Sequence, residues 1–191
     1  MKALAVCGSP RSGGNTEQLL QVVCDSLTAL DIDAEMVLLY DKLVKPCIGC
    51  RKCKELKNRT CAIKDDDFHP ILEKVIDSDA FIIGSPVYFG SATSQTTSLL
   101  HRVGYVSRAN GHFLAGKVGG PVVVARRAGH NFTYAQLLFF FTISDMIVPG
   151  SIYWNVALGK NKGEVMNDEE GLQIVRHFAE NVANLLKKLK A

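Results

Sequence analysis

The chain has 191 residues, 47% of them hydrophobic and 21% charged, and its 22 basic and 19 acidic residues leave a formal net charge of +3. That is the size and balance of one folded domain with a substantial core. So small a surplus, with no basic stripe or interleaved aromatics, argues against nucleic acid as a partner.

Elements alternate along the chain. "KALAVC" reads as a buried parallel strand, and Leu19, Leu20, Val23 and Leu27 give residues 16–30 the apolar spacing of a helix. "AEMVLLY" reads as a second strand. Residues 41–66 are polar, cysteine-rich and irregular. "FHPILEKVIDS" follows as a helix, with Asp65, Asp66 and Asp67 as N-cap candidates. "AFIIGSP" is a third strand, "SQTTSLLHRVGYVSR" a helix, "KVGGPVVVAR" a fourth strand and "FTYAQLLFFFTISDM" an apolar helix. "IVPGSIYW" reads as the fifth strand. A loop through "GKNKGEVMND" leads to a last helix starting near Asp168, with Leu172, Val175, Phe178, Val182, Leu185 and Leu186 on one face and a basic last turn in "KKLK", where cations suit the helix dipole.

This alternation predicts an α/β fold, a five-stranded parallel sheet covered on both faces. No repeat, linker or second domain is visible, so residues 1–191 read as one domain with a cysteine-rich loop at 41–66. Met1 and Lys2 lead straight into a strand, without the apolar segment and cleavage site of a signal peptide. "AQLLFFFTI" is too short to span a bilayer, and Asp145 follows it closely. The expectation is a cytoplasmic protein without structural disulfides and with no membrane partner.

In a doubly wound sheet the ligand sits at the carboxyl ends of the strands. The loops expected there are "GSPRSGGNT", "GSPVYFGSATSQ" and "ARRAGHN". The first has Gly8 and Gly13 at the spacing of a nucleoside-triphosphate loop, but Gly14 stands where that loop needs lysine. It also lacks the Gly-x-Gly of a dinucleotide turn. It offers hydroxyls at Ser9, Ser12 and Thr16, the Asn15 amide, the Arg11 charge and a helix N-terminus, which together suit a phosphomonoester. The plainer alternative is that Asn15 or Thr16 only caps the helix. In the second loop Tyr88 and Phe89 either flank a flat aromatic ligand or pack into the core, and Gly90 permits close approach. In the third, Arg126 and Arg127 either meet a ring's carbonyl edge or form a solvated basic turn; His130 is the one histidine in a loop aimed at the site. His69 and His101 fall on helices, as surface or satisfied positions.

"GSPRSGGNT", "PCIGCRKC", "IKDDDF", "DAFIIGSPVYFGSATSQ" and "MNDEEGL" occur in the order and spacing of the flavodoxin-like NADPH-dependent FMN reductase family, and the chain resembles its iron-sulfur flavoprotein branch. The resemblance covers nearly the whole chain. It implies a flavodoxin-like three-layer α/β/α sandwich and FMN as cofactor. The phosphate would lie on Ser9, Arg11, Asn15 and Thr16, with Ser12 in the same loop, and the isoalloxazine on Pro86, Val87, Tyr88, Phe89 and Gly90. Arg127, Gly129 and His130 would lie near the ring, although "RRAGHNFT" is poorer in glycine than the family's version of this loop. It also implies a homodimer or homotetramer. The apolar "LLFFF" stretch would serve either that interface or the core.

Cys47, Cys50, Cys53 and Cys61 form C-x2-C-x2-C-x7-C. Three outcomes fit four cysteines in a reducing compartment: a cubane [4Fe-4S] cluster, thiols without metal, or zinc, which favours two separated pairs. The spacing resembles the compact motif of iron-sulfur flavoproteins. Cys7 ends a strand and Cys24 sits in a helix, both as small buried hydrophobes. The aspartate trio caps a helix in preference to binding metal.

No general acid, base or nucleophile stands out, as expected where a cofactor carries the chemistry. The expected activity is an oxidoreductase that accepts hydride from NAD(P)H and passes electrons to a quinone, a flavin or an iron–sulfur acceptor. The alternatives are a non-enzymatic FMN electron carrier, which the charge of +3 disfavours, and a zinc-stapled binding module.

Overall fold

In the computed structural model, which describes residues 1–190, β1 (Lys2–Cys7), β2 (Asp33–Leu38), β3 (Ala80–Pro86), β4 (Val118–Ala125) and β5 (Val156–Leu158) form one sheet. Its order is β2-β1-β3-β4-β5 and every pairing is parallel. That is the order of a flavodoxin-like sheet, with its switch point between β1 and β3. The apolar runs read as β1, β3 and β4 are strands because a parallel sheet between two helix layers buries both of its faces.

Successive strand residues point to opposite faces. Ala3, Ala5, Ile82, Val122 and Val124 meet α1 (Asn15–Thr28) and α6 (Glu169–Lys190), which contribute Leu19, Leu20, Val23, Val175, Phe178 and Val182. Leu4, Val6, Phe81, Ile83 and Val123 meet the other layer. That layer holds α3 (Phe68–Asp77), α4 (Ser94–Ala109) and α5 (His130–Ile143), through Ile71, Leu72, Leu99, Val103, Leu137 and Phe141. The result is the expected three-layer α/β/α sandwich. Of "LLFFF", Leu137 and Phe141 are core, whereas Phe139 is 70% exposed. None of the described helices is long and apolar enough to cross a membrane.

The fifth strand is not where the apolar run put it. "IVPGSIYW" is irregular, joined to the sheet by a bridge from Ile147 to Val118, and Val156–Leu158 takes the edge position. Pro149 has no N–H to give a ladder, and Ile152, Tyr153 and Trp154 are exposed. A short helix, α2 (Lys52–Leu56), interrupts the expected irregular loop, and a 3-10 turn, Glu164–Asn167, precedes α6.

The aspartate trio does more than cap: Asp66 Oδ1 accepts the N–H of Phe68, the first residue of α3, at 3.3 Å, but the other bonds of the trio go elsewhere. Asp67 holds the N-cap position of α3, but its side chain makes no cap hydrogen bond. Its carboxylate instead accepts the Leu43 N–H at 2.7 Å, and that of Asp66 accepts the Lys45 N–H at 2.9 Å. Asp66 also forms a fully buried ion pair with Arg102 of α4. These contacts lash the 41–66 segment to the sandwich. Burial alone would raise the Asp66 carboxyl; the hydrogen bonds from Arg102 and Lys45 outweigh it and hold the carboxyl below its usual range. Its stabilisation is therefore present above about pH 3.9, the unfolded-state value, and lost as pH falls through the lower folded value.

Asp66→Asn strands a buried guanidinium and should destabilise the fold by about 3–5 kcal/mol at neutral pH. Denaturant unfolding reads this directly. The gap between wild type and variant should begin to narrow below about pH 3.9 and close as the folded carboxyl takes up its proton at lower pH.

Candidate functional site

The loops after β1 and β3 are tied together by backbone. Gly8 N–H donates to the Gly84 carbonyl at 2.7 Å, and Thr93 Oγ1 donates to the Gly8 carbonyl at 2.6 Å. A Cβ at Gly8 would collide with Thr96 Oγ1. Thr93 also caps α4, accepting the Thr96 N–H. The start of α4 is thus seated on the turn that leads into α1.

Above these turns lies a cavity of about 410 Å³, within the range of about 300–1,000 Å³ usual for small-ligand sites. Ser9, Arg11, Gly14, Asn15 and Thr16 wall it from the first loop, Pro86, Val87 and Tyr88 from the β3 turn, and Val124 and Arg126 from the end of β4. The fourth wall is 159–162, the loop after β5. Four cations, Arg11, Arg126, Lys160 and Lys162, and no carboxylate stand among the described residues of this wall.

Neither Asn15 nor Thr16 caps α1. Gly14 is the N-cap and supplies no side chain, and Asn15 and Thr16 are the first helical residues. Their N–H groups belong to the set that no helix satisfies internally. Ser9 Oγ accepts the Arg11 N–H at 3.1 Å and shapes the turn. Asn15 lines the cavity, but its amide is committed: Nδ2 donates to the Asn161 carbonyl at 2.9 Å, and Oδ1 accepts the Gly163 N–H at 2.7 Å. It holds the β5 loop against α1.

Tyr88 and Phe89 do not pack into the core. Residues 88–91 form a tight turn, with Tyr88 N–H to the Ser91 carbonyl at 2.9 Å and the reverse bond at 3.1 Å. Phe89 and Gly90 occupy its two left-handed positions, at φ 51° and 79°. Phe89 is fully exposed. Ser12, Phe89, Gly90, Arg127, Gly129 and His130 do not line the cavity. Gly129 stands beside Val87 and Gly90, as the N-cap of α5. His130 starts α5, with its Nδ1 buried and unpartnered. Arg126, not Arg127, reaches the wall.

Sequence reasoning missed the 159–162 wall because it placed the fifth strand too early. Once β5 ends at Leu158, the loop at its carboxyl end is "GKNK", and the rule that sites sit there would have found it.

The four cysteines line a second, smaller cavity of about 170 Å³, together with Arg51, Lys54, Arg102, Tyr105 and Val106. Cys61 is buried, Cys47 and Cys53 half-buried, Cys50 exposed, and all are free. Burial, and then the neighbouring thiols of Cys61, Cys47 and Cys50, push the Cys53 thiol up. Among the described residues no three Cys, His, Asp or Glu side chains converge as ligands of a single ion. The thiols surround a space instead. Its described lining holds sulfur donors and three cations, but no carboxylate or imidazole, which suits a soft, anionic group. His69 lies beside this loop, satisfied by the Cys61 carbonyl at 3.0 Å. Cys7 and Cys24 are core residues whose thiols burial pushes up to about 12 and about 11.

Comparison with known proteins agrees with this geometry. Residues 1–161 match the family of NADPH-dependent FMN reductases. An iron-sulfur flavoprotein of Methanocaldococcus jannaschii is 38% identical over 199 aligned residues, covering 100% of both chains. One from Archaeoglobus fulgidus is 33% identical over 98% of this chain and 92% of its own. Among solved structures, RosB with bound 8-demethyl-8-formylriboflavin-5'-phosphate superposes with a TM-score of 0.80 at 19% identity, over 100% of this chain and 80% of that one. An archaeal flavodoxin gives 0.66 at 16% identity, over 98% of this chain and 99% of its own. These two show the fold. The match over residues 1–161 and the two full-length relatives place the chain in the NADPH-dependent FMN reductase family, in its iron-sulfur flavoprotein branch.

Proposed function

We propose that the protein is an FMN-dependent oxidoreductase that takes hydride from NAD(P)H and passes electrons to a quinone, a flavin or an iron–sulfur acceptor. The observation that carries this reading is the cavity at the carboxyl ends of β1, β3, β4 and β5. It joins a helix N-terminus and four cations to an apolar wall of Pro86, Val87, Tyr88 and Val124. A phosphate and a flat ring need that pairing. When bound, FMN supplies hydride acceptance and electron release in one- or two-electron steps.

The chain's own part is positioning. The first turn of α1, Arg11 and the Ser9 and Thr16 hydroxyls receive the phosphate. Arg126, Lys160 and Lys162 add positive potential beside it. The Pro86–Gly90 turn supports the ring, with Arg127, Gly129 and His130 behind that turn. No side chain needs to act as acid or base. The names of the relatives, all iron-sulfur flavoproteins, support a [4Fe-4S] cluster on Cys47, Cys50, Cys53 and Cys61. Thiols spread round a cavity suit a polynuclear cluster better than one zinc ion. A cytoplasmic homodimer or homotetramer of this one domain belongs to the same reading; Phe132, Phe139 and Ile143 of α5, all more than 60% exposed, offer apolar area for it.

Arg11→Ala removes a charged donor worth about 1.5–3 kcal/mol and should weaken FMN binding roughly ten- to a hundredfold by equilibrium titration. Full flavin occupancy at wild-type affinity removes Arg11 from the phosphate site. Cys50→Ser should cost the protein its iron and sulfide, with the far-ultraviolet circular dichroism of the sandwich intact. Mixing oxidised protein with NADH or NADPH under argon should bleach the flavin band without a second enzyme. A band that persists until a separate reductase is added makes the protein an electron carrier.

A further inference from the structure

We infer that Arg102 is a positioning residue of the cysteine cavity: its Nε–H donates to a sulfur of the iron–sulfur group held there, and its charge raises that group's reduction potential. This rests on the reading that the four cysteines hold a cluster.

A guanidinium has five N–H donors. Four of those of Arg102 have acceptors. Nη1 donates to the Lys45 carbonyl at 3.2 Å and to Asp66, and Nη2 to the Ile63 carbonyl at 3.1 Å and to Asp66 Oδ1 at 3.3 Å. Nε has none among the described residues. The residue is 1% exposed, so bulk solvent does not reach it. A buried donor left without an acceptor is unfavourable, the more so when charged. The Phe68 ring covers one face of the guanidinium, 3.8 Å from its carbon. Arg102 is also one of the residues that wall the cavity of the four thiols.

Charge points the same way. Asp66 does not line that cavity, so the ion pair is polarised, with its cation toward the sulfurs and its anion behind. A cluster on four thiolates is an anion, and reduction by one electron makes it one unit more negative. A fixed cation and an N–H donated to sulfur stabilise the reduced form more than the oxidised one. No bond at Arg102 forms or breaks, and the guanidinium keeps its protons throughout.

The test is an anaerobic dithionite titration followed by electron paramagnetic resonance, on wild type and on the paired variant Arg102→Gln/Asp66→Asn, with iron and sulfide assayed in both. The pair is removed together because one partner alone strands a buried charge. In variant protein that retains iron and sulfide, the reduced-to-oxidised ratio at a fixed potential should fall at least tenfold, about 59 mV for one electron. An unchanged ratio overturns the inference and leaves the cluster reading intact; wild type without iron overturns both. Should the variant fail to fold or lose its iron, pulsed spectra of the reduced wild-type protein, grown with 15N-arginine, decide. A nitrogen coupling from one arginine is expected, and its absence overturns the inference.

Discussion

The hydrogen bond from Gly8 N–H to the Gly84 carbonyl carries the β1–β3 pairing one step past Cys7, and the ligand-facing edge takes its shape from it. Because the two chains stay in register beyond the sheet, the turns into α1 and α4 stand side by side. Thr93 then closes the gap from the far side. Neither partner tolerates a side chain: at Gly8 a Cβ would strike Thr96, and at Gly84 it would come within 2.5 Å of Leu20 Cδ1. Overpacking there would cost about 1–3 kcal/mol, and it would part the walls of the larger cavity. Packing and site geometry are here one constraint.

The two cavities solve different electrostatic problems. The larger has its cations on exposed side chains, where water screens them and a ligand can exchange. The smaller has one of its three cations, Arg102, buried, with a carboxylate behind it and an aromatic ring over it. A buried pair is a weak source of stability, since desolvation offsets most of the attraction. Its worth lies in fixing the 41–66 segment, which has little apolar core of its own beyond Val44, Cys61 and the residues packed on them. That segment winds through left-handed residues at Gly49, Arg51, Lys57 and Arg59, and such a path needs an anchor.

The sheet was legible because its central strands are buried on both faces, which turns β1, β3 and β4 into unbroken apolar runs. The edge was not. β5 has three residues and one partner strand, so it needs little apolar character, while the longer apolar run before it spends that character on exposed surface at Ile152, Tyr153 and Trp154. The Ser9–Thr16 turn and the cysteine spacing stood out as candidate chemistry, and the structure sets each beside a cavity. The role of Arg102 was not, though it left a trace: in "LLHRVGYV" it stands three after Leu99 and four before Val106, on the buried stripe of α4. A charge on an apolar stripe asks for a partner. Asp66 lies 36 residues away, in a loop whose path no local pattern gives.

The first turn of α1 shows how the larger cavity is held ready. The positive end of a helix dipole is a poor place for cations, yet Lys160 and Lys162 are brought there. Asn15 grips the loop that bears them at both Asn161 and Gly163. Glu164 turns the same loop by accepting the N–H groups of Lys160 and Asn161, each at 2.8 Å. Lys162 reaches back to the Ser12 carbonyl at 3.2 Å. The first turn of α1, whose Glu17 accepts the Gly13 N–H at 2.6 Å, and the two lysines thus wall the same cavity. Local rules of helix capping fail at Gly14, which brings no side chain to this helix end.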